Sequence, residues 1–169
     1  MSKTVARRGT SLGRGLVIGL CATQALDWVS ILLYEGESAA TRATENRVRG
    51  DRQAYEVAVE RMATRAGRKL SEDEVKRWGW RFHKTFGLLG GLGYLGLRRA
   101  FPRLRWGCGL AFGSAFFLLV DELMVPLQGL TPGPQAFSWK VHARGAAAHL
   151  AYGMAAEATA RLFDGADRR

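Results

Sequence analysis

The sequence predicts an all-α integral membrane protein, a four-helix bundle with an amphipathic helical outer loop. Three observations carry that expectation. Apolar residues make up 47% of the 169 positions, and they are gathered into four segments of near membrane-spanning length. Each segment carries its few polar residues at helical spacing on one stripe. The 21 glycines fall largely inside those segments, where each costs ~1 kcal/mol in a water-exposed helix. Lipid tolerates glycine better, because small residues let helix backbones approach closely. Two cysteines are too few for a disulfide scaffold, and the apolar content excludes disorder.

The whole chain, 1–169, reads as one membrane domain, with spans at about 15–34, 80–98, 106–127 and 144–163. A hydrocarbon core of ~30 Å needs ~20 helical residues. The first span has Asp27 as its only charge, and Gly19, Thr23, Asp27, Ser30 and Tyr34 form its small-or-polar stripe. The second begins with His83 and Lys84, followed on the same stripe by Gly87, Gly90, Gly91 and Tyr94. The third has Gly107, Ser114 and Asp121, with Glu122 adjacent; the fourth has His142, His149, Gly153 and Glu157. Soluble amphipathic helices have a wide polar face; these have a narrow one. The pairs Gly15/Gly19, Gly87/Gly91 and Gly109/Gly113 are expected at helix–helix contacts.

Residues 36–79 form the extramembrane loop. Asp51–Ala66 reads as an amphipathic helix with Tyr55, Val59 and Met62 on one face and Gly67 ending it. It is expected on the membrane surface or capping the bundle, with a solvated charged loop as the alternative. Ser71-Glu-Asp-Glu74 is a capping box opening the next helix. Trp78, Trp80, Trp106 and Trp139 stand where an interfacial aromatic belt would. Thr131-Pro-Gly-Pro134 reads as a plain turn, with a re-entrant turn covering the polar cluster as the alternative.

Charge sets the topology. Lys3, Arg7, Arg8 and Arg14 precede the first span, and Arg98, Arg99, Arg103 and Arg105 occupy the link after the second. Positive short segments stay cytoplasmic, so both termini are expected inside. The link 128–142, with Lys140 alone, is then outside, together with the first loop despite ten basic residues there. The basic start has no small-x-small cleavage site after it, so an uncleaved first span is expected. The net charge of +10 fits anionic headgroups and offers no aromatic-interleaved nucleic-acid surface. The expected partners are the lipid bilayer and other copies of the chain, with no nucleic acid.

Some motifs fail on context. Gly91-Leu-Gly-Tyr-Leu-Gly96 matches the dinucleotide fingerprint, but no strand precedes it. Cys21 and Cys108 read as packing residues. No Glu-x-x-His pair supports a di-iron site, and no cofactor or metal is expected.

The ionisable residues are the functional candidates, because charge inside a bilayer is costly. Asp27, Glu35, His83, Asp121, Glu122, His142, Arg144 and His149 are expected together in the outer half of the bundle. Glu157 is expected at the inner end with Arg161 at i+4 as its partner. Three readings stay open: a structural hydrogen-bonded core, a proton, ion or solute path, and a metal or haem site. No residue is assigned a catalytic role.

Leu33-Tyr-Glu35, Phe82-His83, Asp121-Glu122, Pro126-Leu-Gln-Gly-Leu-Thr-Pro132 and Phe137-Ser-Trp-Lys-Val-His142-Ala-Arg144-Gly together resemble the YagU-like family of small bacterial inner-membrane proteins. The resemblance spans about residues 12–163. It implies a multi-pass helical membrane protein without assigned catalytic residues, and a link to acid resistance in the family's namesake. The first loop departs from it, being charged where the namesake's is Pro- and Cys-rich. The resulting expectation is a non-enzymatic role in envelope maintenance or stress and acid tolerance. The alternatives are a small proton, ion or solute conduit, oligomeric because four short helices enclose little volume, and thirdly a metal-binding membrane enzyme.

Overall fold

The computed structural model describes the backbone of residues 2–168 and the side chains of residues 11–168. The basic side chains of Lys3, Arg7 and Arg8 therefore lie outside the described residues. Among those described, the fold is wholly helical. Helix α1 spans Ser2–Glu35, α2 Ala39–Arg49, α3 Ala54–Arg65 and α4 Glu72–Ala100. After a 3₁₀ stretch at Pro102–Gly109 come α5 (Leu110–Phe117), a π-helical continuation (Leu118–Met124) and α6 (Val125–Leu127); α7 is Trp139–Ala166.

Four long rods alternate in direction: α1, α4, the α5–α6 rod and α7. Arg14, in the first half of α1, clamps Asp167 after α7 through two bonds of 2.6 and 2.5 Å, which sets the N-terminal half of α1 beside the C-terminal end of α7. Tyr34, at the other end of α1, lies under the Arg144 guanidinium near the start of α7, 5.1 Å from its ring centre.

Glycine makes the α1–α4 contact possible. A Cβ added at Gly91 would stand 2.2 Å from the Gly19 Cα, and one at Gly19 would stand 2.7 Å from the Leu88 Cα. Both are backbone collisions that no rotamer relieves. The Gly109/Gly113 pair plays the same part against α7: a Cβ at Gly109 would sit 2.1 Å from the Gly153 carbonyl oxygen. All three glycine pairs thus lie at helix contacts.

The third rod departs from expectation in two ways. Gly107, Cys108 and Gly109 have positive φ, so the helix begins at Leu110 and Gly107 is not on its stripe. Ser114 is exposed, whereas Phe112 and Gly113 are buried. Gly113, whose missing side chain admits the α7 backbone at His149 and Leu150, sets the register. The π segment ends at Met124, two residues before Pro126, which has no N–H for an α-helical bond to the Glu122 carbonyl. Val125 N–H reaches back to the Val120 carbonyl instead.

The outer segment is more structured than a charged loop. Ser38 caps α2, and the Ser71/Glu74 capping box opens α4. The Ser71 backbone N–H holds the Glu74 carboxyl below the usual range. Tyr55 and Val59 of α3 do face inward, against α4, but Met62 is 57% exposed, because Gly79 admits only the turn around Tyr55 and Glu56. Arg61 then ties α3 to the carbonyls of Gln128 and Gly129, each at 2.6 Å. The α2–α3 unit thereby caps one end of the bundle.

Cys21 and Cys108 are exposed rather than packed. So are Trp78, Trp80, Trp106 and Trp139. Two segments, Ser11–Glu35 and Pro102–Leu127, are long and apolar enough to cross a membrane. Among the described residues α4 and α7 are not apolar enough to count with them, their Leu and Phe being diluted by Gly, Ala and charged residues.

Candidate functional site

A cavity of about 880 Å³ opens at the end opposite the termini. It is lined by Asp27, Glu35 and His83 from α1 and α4, by Asp121 and Glu122 from the π segment, and by His142, Arg144 and His149 from α7. These are the eight residues expected in the outer half, and the fold brings them to one wall system. Glu157 is elsewhere, as expected.

Each histidine is matched with a carboxylate from another helix. His83 Nε2 lies 2.8 Å from Asp27 Oδ1, and Lys84 Nζ donates to the other oxygen of the same buried carboxylate. The His83 ring is held between Trp80, stacked at 5.4 Å, and Tyr55 at 5.3 Å. His149 Nδ1 donates to the Gly145 carbonyl at 3.0 Å and lies 3.6 Å from Asp121 Oδ2. Phe116 and Phe117 flank this ring.

His142 makes the tightest of the three pairings. Its Nδ1 is 2.7 Å from Glu122 Oε1 and its Nε2 is 3.0 Å from the Pro134 carbonyl oxygen. The Pro134 carbonyl only accepts, and so does Glu122 when ionised, so against the carboxylate the doubly protonated imidazolium satisfies both together. The Glu122 bond accordingly raises the His142 pKa above its ordinary value of 6.5. A raised folded-state pKa stabilises fully below the ordinary value, and that stability is lost as pH rises through the raised one. The variant His142→Gln is therefore expected to lose roughly 1 kcal/mol at pH 5.5 and less at pH 9. Thermal melts of wild type and variant at the two pH values check this.

Arg144 fastens the rim. Its guanidinium donates to Glu37 Oε1 at 2.5 Å and to both Glu45 oxygens at 2.5 and 2.6 Å. Glu45 also accepts from Arg49 Nε at 2.9 Å. Glu45, which is buried, and Glu37, which is half-buried, carry no signal of this in the sequence; only the tertiary approach of Arg144 does so. Glu35 is exposed at the rim, and its carbonyl accepts from Arg42 at 2.9 Å. Thr131, Pro132 and Pro134 line the cavity as well, so this stretch covers the cluster instead of forming a detached turn. The cause is the His142 bond to Pro134.

The cavity has a floor. Tyr152 is fully buried, and its hydroxyl donates to the Gly87 carbonyl at 2.6 Å. Phe116 packs on it at 5.1 Å, and Phe112 and Tyr94 continue the aromatic layer. Below that layer Glu157 is fully buried. It accepts from Arg161 at 2.7 Å, from Arg98 and Arg105 at 3.2 Å each, and from the Tyr94 hydroxyl. Among the described residues, no three His, Cys, Asp or Glu side chains converge to hold a metal ion.

Comparison with protein-family models, with curated proteins and with solved structures returns no match.

Proposed function

We propose that this chain is a multi-pass membrane protein of four spanning rods, whose one-sided polar cavity is a pH-responsive element serving a non-enzymatic role in envelope maintenance or acid tolerance. The observation that carries the membrane reading is an inverted distribution of polarity. Asp27, His149 and Glu157 are buried, while Leu20, Trp28, Leu32, Leu118, Leu119 and Leu162 are each more than half exposed. The accessible surface is 10,836 Å², against about 8,200 Å² for a soluble monomer of this mass. Large exposed apolar faces mark contact with lipid or protein. Lipid is the better match here because outward-facing apolar residues recur on α1 from Leu12 to Leu33.

The pH-responsive reading is supported by the pairing of all three histidines with carboxylates around one cavity. Imidazole changes charge between pH 5 and 8, the interval an envelope protein meets on acidification. Acid tolerance and the bacterial inner membrane come from the resemblance to the YagU-like family. The termini and the arginine-rich 98–105 link share one end, which the charge rule puts on the cytoplasmic side; the cavity then faces outward. A conduit would require the Tyr152–Phe116 floor to open, so the cavity favours sensing over passage.

Alkaline carbonate washing of membranes from an expressing bacterium tests the first half of the proposal, and acid survival tests the second. Retention in the pellet is expected, as is loss of the survival benefit in a strain carrying His83→Gln, His142→Gln and His149→Gln together. Release by carbonate, or full benefit from the triple variant, contradicts the respective half.

A further inference from the structure

We infer that the cavity is a binding site for an organic monocation, an amine or quaternary ammonium compound carrying an apolar body. This goes beyond the pH-responsive reading and stands on the cavity alone, whether the chain is in a membrane or not.

Size comes first. A volume of about 880 Å³ lies within the ~300–1,000 Å³ of small-molecule sites. Charge comes next. Seven carboxylates line the cavity against three guanidinium groups. Lys84 beside Asp27 and a charged His142 beside Glu122 still leave the balance negative. The guanidiniums are engaged as well: Arg144 and Arg49 hold Glu45, and Arg52 holds Glu72 at 2.6 Å. An anion entering the cavity would therefore meet surplus carboxylate and no uncommitted guanidinium among the described residues. Asp121 is the carboxylate best placed to receive a cation. It lines the cavity, has no Lys or Arg bonded to it among the described residues, and its nearest basic partner is His149 at 3.6 Å.

The walls decide between an inorganic and an organic cation. Among the described residues the carboxylates do not converge in threes with one another or with His or Cys, as a metal ion would need. The aromatic side chains of Tyr55, Trp80, Phe86, Phe116 and Phe117 instead line the cavity beside the acids. Aromatic faces attract ammonium groups and shelter apolar bodies. An organic monocation uses both features; a hydrated metal ion uses neither well.

The test is calorimetric titration of the detergent-purified full chain with benzyltrimethylammonium, beside phenylmethanesulfonate as an anion of similar size. The cation is expected to bind saturably and at least tenfold more tightly than the anion. Asp121→Asn/Glu122→Gln is expected to weaken it at least tenfold without altering the anion titration. If the double variant does not fold, Asp121→Asn alone should weaken the cation at least threefold. Equal binding of the two probes, no saturable cation binding, or unchanged affinity in a folded variant overturns the inference. Carbonate washing judges the membrane reading separately, so the two can fail independently.

Discussion

Replacing Glu157 by Ala is expected to destabilise the protein by about 3–5 kcal/mol, more than the loss of any other acidic side chain in the bundle. The carboxylate is fully buried and receives Arg98, Arg105, Arg161 and the Tyr94 hydroxyl. Removing it leaves the Arg98 guanidinium, itself 5% exposed, with Asp164 alone at 3.0 Å. The penalty comes from that stranded buried charge more than from the bonds lost. Tyr94, the deepest member of the aromatic floor, loses its acceptor at the same time. Arg161→Ala, which removes the half-exposed member of the set, is expected to cost about 1 kcal/mol or less. Thermal unfolding of the three purified proteins in one detergent measures the difference.

The second large effect is at the α1–α4 contact. Gly91→Ala is expected to destabilise by about 1–3 kcal/mol, because its Cβ meets the Gly19 backbone at 2.2 Å and the helices must separate. Gly93→Ala, two residues along the same helix, has nothing within 4 Å. It is expected to be neutral or to stabilise by up to ~1 kcal/mol through helix propensity. Melting temperatures that move in opposite directions for these two substitutions check the close approach itself. Equal effects would show that α1 and α4 do not touch there.

How much of this was readable from the sequence depended on whether a residue's signal is local. The Gly15/Gly19 and Gly87/Gly91 spacings announce a close contact because only glycine leaves a groove, and the groove is a property of one helix. The Ser71/Glu74 box is likewise closed within one turn. The eight outer ionisable residues converge because up-down topology and helical rise together fix their depth. Other features needed a partner distant in sequence. Helix α2 is rich in polar residues, and Glu45 becomes buried only when Arg144 arrives from α7. The inward register of the third rod follows the Gly113 contact with α7 and the bond pattern imposed by Pro126, neither visible in a periodicity that expects Ser114 inward. The cavity floor needed Tyr152 to meet the Gly87 carbonyl across the bundle. Met62 and the two cysteines went the other way, outward, since an apolar residue at a helical position can face lipid or solvent as readily as a core.

The central claim is that the outward apolar face of the rods meets lipid while the cavity meets water. Cysteine accessibility in intact membranes reads both at once. In a background with Cys21→Ser and Cys108→Ser, single cysteines are placed at Trp28, on the outer face of α1 and 74% exposed, and at Glu35, on the cavity rim. The account predicts that a water-soluble maleimide labels Glu35→Cys from the outer side and leaves Trp28→Cys unlabelled until the membrane is dissolved and the chain unfolded. Equal, rapid labelling of both positions without detergent would mean that the apolar face is in water, and would contradict the account.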